Sequence, residues 1–80
     1  MISETPYYAK VAMFLAKMRE GDTFSINDKV KEENRAMFIE CFRWFAAVHK
    51  DGAWWWEWDD ESNIIKKHAN AWYKRLKNKL

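Results

Sequence analysis

The fold depends on residues 54–68, WWWEWDDESNIIKKH, where a cluster of tryptophans runs into acids and then into bases. If the tryptophans form a strand, alternation places Trp54, Trp56 and Trp58 on one face and Trp55 on the other. One face would then pack on the core, and the other would point at solvent, a second element or a partner.

The second half of this segment fits two structures. In the first, residues 59–63 form a loop, Ile64 and Ile65 begin a return strand, and the last helix begins near His68. In the second, the last helix begins near Glu61, because acids are favoured at the positive end of the helix dipole. The first predicts a helix-dominated α+β domain with a small β-hairpin, and the second predicts an all-α small helical bundle.

The chain before this segment predicts helices joined by a short strand. Thr5, a typical N-cap residue, precedes a proline, and Gly21 is typical of a helix end, so the first helix should span residues 6–20. A weak strand pattern at residues 23–26 and a polar helical turn at residues 28–33 follow. The N-terminal third is therefore expected to be helix, strand and short helix.

Residues 35–50 form the most hydrophobic element. Apolar side chains cover most of the circumference of a helix here, so we expect a central helix that is buried on nearly all sides. Cys41, the only cysteine, lies on this helix and should be a core residue. Only a narrow strip should face solvent, consisting of Ala36, Glu40, Arg43, Ala47 and Lys50.

This order of elements resembles the winged-helix family of helix-turn-helix DNA-binding domains. The stretch GDTFSI at residues 21–26 carries the resemblance, which spans residues 7–68. The resemblance implies that the second helix of the pair lies in the DNA major groove and that a hairpin wing contacts the backbone. The corresponding base-contacting residues are Asn34, Arg35 and Arg43.

Two features of the sequence depart from that family. The segment in the wing position is acidic and should be repelled by phosphate; its acids are Glu57, Asp59, Asp60 and Glu61. The helix in the recognition position is apolar almost all round, whereas a helix that contacts bases in the groove needs a polar outer face. A winged-helix shape without DNA binding is therefore a further expectation.

Length and composition indicate one small folded domain. The chain has 80 residues, of which 18% are aromatic, and this is unlike a disordered segment. A single cysteine excludes an intramolecular disulfide and favours a reducing compartment. The sequence holds no secretory signal pattern and no apolar stretch near the ~20 residues of a membrane span, so we expect a cytoplasmic protein.

Charge is distributed unevenly along the chain. The formal net charge is +2, but residues 51–63 hold five acids and no base, and residues 64–80 hold six bases and no acid. Such a basic end can bind a phosphate backbone through salt-sensitive contacts. The first hypothesis is therefore a nucleic-acid-binding or regulatory module with DNA as partner. It would use one basic face of an amphipathic last helix whose apolar face covers the core: Lys66, Lys67, Lys74 and Lys77.

The tryptophans support a second hypothesis, a protein-interaction module such as a small inhibitor, an adaptor or a homodimer. Trp is enriched among the residues that dominate binding at interfaces, so Trp55, together with Trp56, is expected to anchor the partner. No recognisable spacing combines a nucleophile, a base and an orienting group, and His49 and His68 are expected to be structural. We therefore expect neither enzyme activity, cofactor nor metal, and neither a membrane nor a small-molecule partner.

Overall fold

The computed structural model describes residues 2–79. Its helices are α1 (Pro6–Lys17), α2 (Ile26–Lys29), α3 (Arg35–His49) and α4 (Ala71–Lys79). Its strands are β1 (Thr23–Ser25), β2 (Trp54–Asp59) and β3 (Ile64–Ala69). Two 3₁₀ turns, at Ile2–Glu4 and Glu32–Asn34, precede α1 and α3. The chain is a helix-dominated α+β domain.

The tryptophan segment is a strand, and the chain after it returns as a second strand. β2 and β3 pair antiparallel from Trp54 opposite Ala69 to Asp59 opposite Ile64. β1 pairs with the other edge of β3, which gives the sheet order β1-β3-β2. The hairpin interpretation is confirmed, and the all-α bundle with a helix start near Glu61 is wrong. Along β2 and β3 the more buried and the more exposed side chains alternate at every second residue, which fits the two-residue period of a strand and not the 3.6-residue period of a helix.

Helix α1 begins where the sequence predicts and ends earlier. The Thr5 hydroxyl accepts a hydrogen bond from the backbone N–H of Tyr8 at 3.2 Å, as an N-cap does. The backbone becomes extended at Met18, so the prediction of a helix up to residue 20 is wrong. This early exit brings Gly21 beside β3, where its N–H donates to the Lys67 carbonyl at 2.8 Å. Gly21 has a φ of +86°, which glycine adopts at little cost.

The central helix was predicted at residues 35–50 and is observed at Arg35–His49. The short helix α2 begins earlier than the helical turn predicted at residues 28–33. The Ser25 hydroxyl accepts from the N–H of Asp28 at 3.3 Å and caps α2 at its start. α2 therefore begins at Ile26, and the remainder of the predicted turn at residues 28–33 divides between α2 and the second 3₁₀ turn.

The core lies between α1, α3 and the inner face of the sheet. Cys41 is fully buried, as predicted. Trp54, Trp56 and Trp58 all pack on the core, so the predicted alternation of the tryptophans is confirmed. The buried residues of the core cluster are Val11, Leu15, Ile26, Phe38, Cys41, Phe42, Phe45, Trp56 and Ile65. Burying one large apolar side chain contributes roughly 1.5–3 kcal/mol, so this cluster is the main source of stability.

The prediction that α3 is buried on nearly all sides is wrong. Met37, Trp44 and Val48 are 52%, 40% and 62% exposed. The molecule is thin, measuring 45 × 27 × 18 Å, and α3 packs mainly against α1, β2 and the flanking 3₁₀ turns. The remaining side of the helix, which carries these three side chains, is not covered by another element of residues 2–79.

Helix α4 does not cover the core either. None of its residues is buried, and its large apolar side chains Trp72 and Leu76 are exposed, so the expectation that its apolar face covers the core is wrong. Tyr73 joins it to the domain, with its ring centroid 5.1 Å from that of Trp54. Because β3 takes residues 64–69, the helix begins only where the sheet ends. Within residues 2–79, no helix is both long enough and apolar enough to cross a membrane.

Candidate functional site

The outer face of the hairpin carries Trp55, the residue expected to anchor a partner. Its indole is 40% exposed and stacks on the imidazole of His68, its cross-strand neighbour, with the centroids 4.4 Å apart. Nε2 of His68 lies 2.9 Å from Oε1 of Glu57, so this nitrogen donates to the carboxylate. The stack and the hydrogen bond hold the indole in place with one ring face covered by His68.

Trp56, the second expected anchor, is a core residue. It is only 9% exposed, and its Nε1–H donates to the carbonyl of Leu15 at 3.2 Å. Its ring meets that of Phe45 edge-on at a centroid distance of 4.8 Å. Strand alternation turns Trp56 to the opposite face from Trp55, so the two indoles do not form one surface.

Lys67, which was expected to contact phosphate, is buried at the end of α1. It is 5% exposed, and its Nζ donates to the carbonyls of Ala16 at 3.2 Å and Met18 at 2.6 Å. Carbonyls at a helix C-terminus lack partners within the helix and carry partial negative charge, so an ammonium group satisfies them well. The rings of Trp54 and Trp56 lie 4.8 and 5.2 Å from the same nitrogen.

The surroundings of Lys67 have opposing effects on its ionisation. Burial lowers the pKa of the ammonium group below its usual 10.5, and the negative charge of Asp22 opposes this shift. The backbone N–H of Lys67 also donates to the Asp22 carbonyl at 3.1 Å. Lys67 is thus a structural cation that joins α1 to the sheet, and its charge is enclosed by the domain.

The other lysines of the predicted basic face are exposed but lie on different elements. Lys66 lies on β3, opposite Glu57. Lys74 and Lys77 lie on α4, where they line a shallow groove with Glu20. The predicted single helical face does not form, because half of it is strand. The exposed basic residues of α4 are Lys74, Arg75, Lys77 and Lys79.

Two of the residues that correspond to base contacts lie at the start of α3. Asn34 is exposed at the end of the second 3₁₀ turn. The Nε of Arg35 donates to the Val30 carbonyl at 3.1 Å, and a terminal nitrogen donates to the Asn27 carbonyl at 2.8 Å. Arg35 therefore ties α3 to α2.

Arg43, the third of these residues, lies on the exposed side of α3. Its guanidinium is 3.7 Å from the carboxylate of Glu40 and 5.4 Å from the ring centroid of Trp58. Both partners hold it close to the helix surface. Arg43 lies two turns beyond Arg35, roughly 12 Å along the axis at 1.5 Å per residue.

One side of α3 carries a surface that the sequence pattern did not indicate. It is formed by Met37, Trp44 and Val48, and we name it the α3 stripe. At 100° per residue these side chains fall within an arc of about 40°. They follow each other at seven and four residues, so they line up along one side of the helix. The spacing was present in the sequence, but the apolar residues on the other sides of α3 concealed it.

A second missed feature is a cavity of about 390 Å³ bordered by α1, β1, the end of α2 and the start of α3. We name it the lysine-rimmed cavity. Val11 and Phe38 line it as buried side chains, and Lys10, Lys29 and Lys31 line it as exposed ones. These residues come from segments that are distant in sequence, so no local pattern indicated that they meet.

The potential nucleophile of the chain is embedded in the core. Burial raises the pKa of the Cys41 thiol, and the charge of Glu40 raises it further. His49 packs against Phe45, with ring centroids 4.3 Å apart. Among residues 2–79, no three His, Cys, Asp or Glu side chains are grouped so that they could hold a metal ion.

Comparisons of this chain with protein-family models, with curated proteins and with solved structures found no match. The winged-helix resemblance therefore rests on the order of elements alone. The candidate surfaces rest on the geometry of this chain.

Proposed function

We propose that this protein is a non-enzymatic protein-interaction domain that pairs with a second copy of itself through the α3 stripe. The observation that carries the proposal is the exposure of Met37, Trp44 and Val48 in one line along a helix. Covering such side chains contributes about 25 cal/mol per Å² of apolar surface. Contiguous apolar surface on a small domain is typical of an interaction site.

The charges beside the stripe favour a second copy as the partner. Glu40 and Arg43 lie on the same flank of α3, three residues apart. When two copies pair antiparallel about a two-fold axis, the same flank of each copy meets its equivalent, so Glu40 of one copy approaches Arg43 of the other. Antiparallel helices also bring together opposite ends of their dipoles. The flank is therefore complementary to itself.

The expected dimer is weak, because one stripe on one helix is a small interface. We expect a Kd on the order of 10 µM or higher. Sedimentation equilibrium from low micromolar to near-millimolar concentration measures it. Met37→Lys should weaken association at least about tenfold, because it places a charge in the apolar stripe. Met13→Lys is the matched control, since Met13 is a similarly exposed methionine on α1.

The flank provides an independent test of the geometry. Glu40→Arg should weaken the dimer, because it puts like charges opposite each other. Combining Glu40→Arg with Arg43→Glu should restore association, because the swapped pair is again complementary. The proposal is contradicted if the protein stays monomeric throughout the concentration range. It is also contradicted if Met13→Lys weakens association as much as Met37→Lys does.

A second candidate function, nucleic-acid binding, is favoured by α4. Its nine residues hold Lys74, Arg75, Lys77 and Lys79 without an acid, and all four are exposed. Backbone contacts from these residues would be sequence-tolerant and would weaken steeply with salt. Titration of labelled duplex and single-stranded DNA at low and near-physiological salt tests it. Lys74→Glu with Lys77→Glu should abolish binding, and Lys17→Glu with Lys50→Glu, outside α4, should weaken it far less.

The order α1, β1, α2, α3, β2, β3 supports a winged-helix-like domain as part of this proposal. The acidic loop after β2 and the apolar outer side of α3 favour a member that docks protein rather than one that contacts bases. The single cysteine, buried and free, fits a cytoplasmic location.

A further inference from the structure

The lysine-rimmed cavity has the size and the walls of a small-molecule site. Its volume of about 390 Å³ falls within the ~300–1,000 Å³ of typical ligand pockets. Its apolar wall is continuous, because the rings of Phe14 and Phe24 have centroids 6.3 Å apart and those of Phe24 and Phe38 are stacked at 5.4 Å. Flat apolar groups bind well against such rings, since aromatic pairs gain energy beyond their buried area.

The wall contains apolar surface that the domain itself leaves uncovered. Phe14 is 59% exposed, although it lies beside the stacked pair of rings. Val11 and Phe38 belong to the core, so they fix one side of the cavity in place. A ligand in the cavity would cover Phe14 without requiring the core to move.

Charge at the rim selects the sign of the ligand. Three of the ten lining residues are lysines, Lys10, Lys29 and Lys31, and none is an acid. Within residues 2–79, no carboxylate lies within ion-pair distance of their ammonium groups. Three positive charges around one opening attract an anion and repel a cation.

Two neutral polar groups complete the lining. Asn34 and Tyr7, whose side chains carry hydrogen-bond donors, are both lining residues. Burial raises the pKa of Tyr7, with a smaller contribution from the nearby Cys41, so its hydroxyl keeps its proton and can donate a hydrogen bond. Both groups can therefore donate to a bound anion.

We infer that the lysine-rimmed cavity binds a small organic anion with a flat apolar body, such as an aryl carboxylate. The body lies against Phe14, Phe24 and Phe38, and the carboxylate lies at the rim with Lys10 and Lys31. This site is separate from the α3 stripe and goes beyond the proposed dimer. An acidic peptide is the competing occupant, but the adjacent rings of Phe14, Phe24 and Phe38 suit a flat, compact ligand better than an extended chain.

The test compares two probes with the same body and different charge, 2-naphthoate and 2-naphthalenemethanol. Each is titrated into the ¹⁵N-labelled protein and followed by the amide chemical shifts. The expected result is one site per chain, with the largest shifts at Lys10, Phe14, Phe24 and Phe38. Naphthoate should bind at least about tenfold more tightly than the alcohol, because only naphthoate uses the lysines.

Variants separate the charged part of the site from its apolar part. Lys10→Gln with Lys31→Gln should bring the two Kd values together, whereas Lys17→Gln with Lys50→Gln, outside the cavity, should leave the tenfold difference intact. Phe14→Ala should weaken both probes by a similar factor. An unchanged near-ultraviolet circular dichroism spectrum shows that each variant is folded.

Three outcomes would overturn the inference. The first is equal affinity of the unmodified protein for both probes. The second is a set of chemical-shift changes that lies away from the cavity. The third is saturable binding of a Glu- and Phe-containing peptide at the cavity when naphthoate shows none. None of these outcomes bears on the dimer, which is measured without ligand.

Discussion

Lys67 shows how one charged residue joins two parts of this fold. It lies on the inner face of β3, where the alternation requires a side chain that reaches the core, and its ammonium group meets the two carbonyls left open by the end of α1. The same nitrogen lies 4.8 and 5.2 Å from the ring centroids of Trp54 and Trp56, so the two indoles also contact the cation. The early end of α1 thus supplies the two carbonyls that the buried ammonium group of Lys67 contacts.

Lys67→Met should destabilise the domain by about 1.5–3 kcal/mol, because it removes charge-assisted hydrogen bonds and leaves two carbonyls without that partner. Lys66→Met is the matched control, since Lys66 precedes it on the strand and is exposed. We expect the control to change the free energy of unfolding by no more than about 0.5 kcal/mol. Urea denaturation of both variants measures the difference. If both variants lowered the free energy of unfolding by the same small amount, the buried ammonium group of Lys67 would contribute no specific stabilisation.

Cys41 gives a second prediction at this scale. Its thiol is fully buried and burial raises its pKa, so both access and thiolate formation are suppressed. Reaction with a disulfide reagent at neutral pH should be slower than that of the urea-unfolded chain by roughly a hundredfold or more, because it requires opening of the core. The measurement is the rate of absorbance change with and without urea. Fast labelling of the folded protein would show that α1 and α3 separate readily.

At the scale of elements, α4 is the least supported helix. It has nine residues, none of them buried, and a helix of that length is marginal in water by itself. Its amides at residues 74–79 should therefore exchange with solvent almost as fast as those of a free peptide. β3 pairs with a strand on each side, so its amides should exchange at least about a hundredfold more slowly than those of α4. Hydrogen exchange followed by NMR compares both in one sample, and strong protection of α4 would mean that a second surface covers it.

The two long helices also show where sequence patterns succeed and fail. The bounds of α3 could be predicted because its run of apolar residues is long and ends at Asp51-Gly52, a common turn. The exposed side of α3 could not be predicted. A sequence pattern shows which side chains are apolar, but it does not show whether another element packs over them. For α1, the capping residues were visible, but the partner that ends it lies 49 residues beyond Met18.

For the whole molecule, the alternation of the tryptophans followed from local sequence, the hairpin was one of two structures that the sequence left open, and the candidate surfaces were not indicated by any local pattern. Trp55 could be predicted as the exposed tryptophan of β2 because strand alternation is local. The lysine-rimmed cavity brings residue 10 beside residue 31, and such a meeting depends on how α1 packs against the start of α3. The prediction of a basic C-terminal face was wrong because of local structure. Residues 64–69 are a strand and not a helix, so Lys66 and Lys67 lie on β3 and not on the same helix as Lys74 and Lys77.

The two proposed sites lie on neighbouring residues of α3, since Met37 belongs to the stripe and Phe38 to the cavity wall. Their side chains leave the helix about 100° apart, so one site faces solvent and the other faces α1 and β1. Coupling would require α3 to have two arrangements, and its buried row of Phe38, Phe42 and Phe45 favours a single one.

We therefore expect the two sites to act independently. Saturating 2-naphthoate should change the dimer Kd by less than about twofold, which corresponds to a coupling free energy below about 0.4 kcal/mol. Sedimentation equilibrium with and without ligand measures it, and linkage requires that dimerisation leave the naphthoate Kd equally unaffected, which titrations at low and high protein concentration measure. A shift of about tenfold in either measurement would mean that α3 moves when the cavity fills, so that a small anion controls whether two copies of the chain associate.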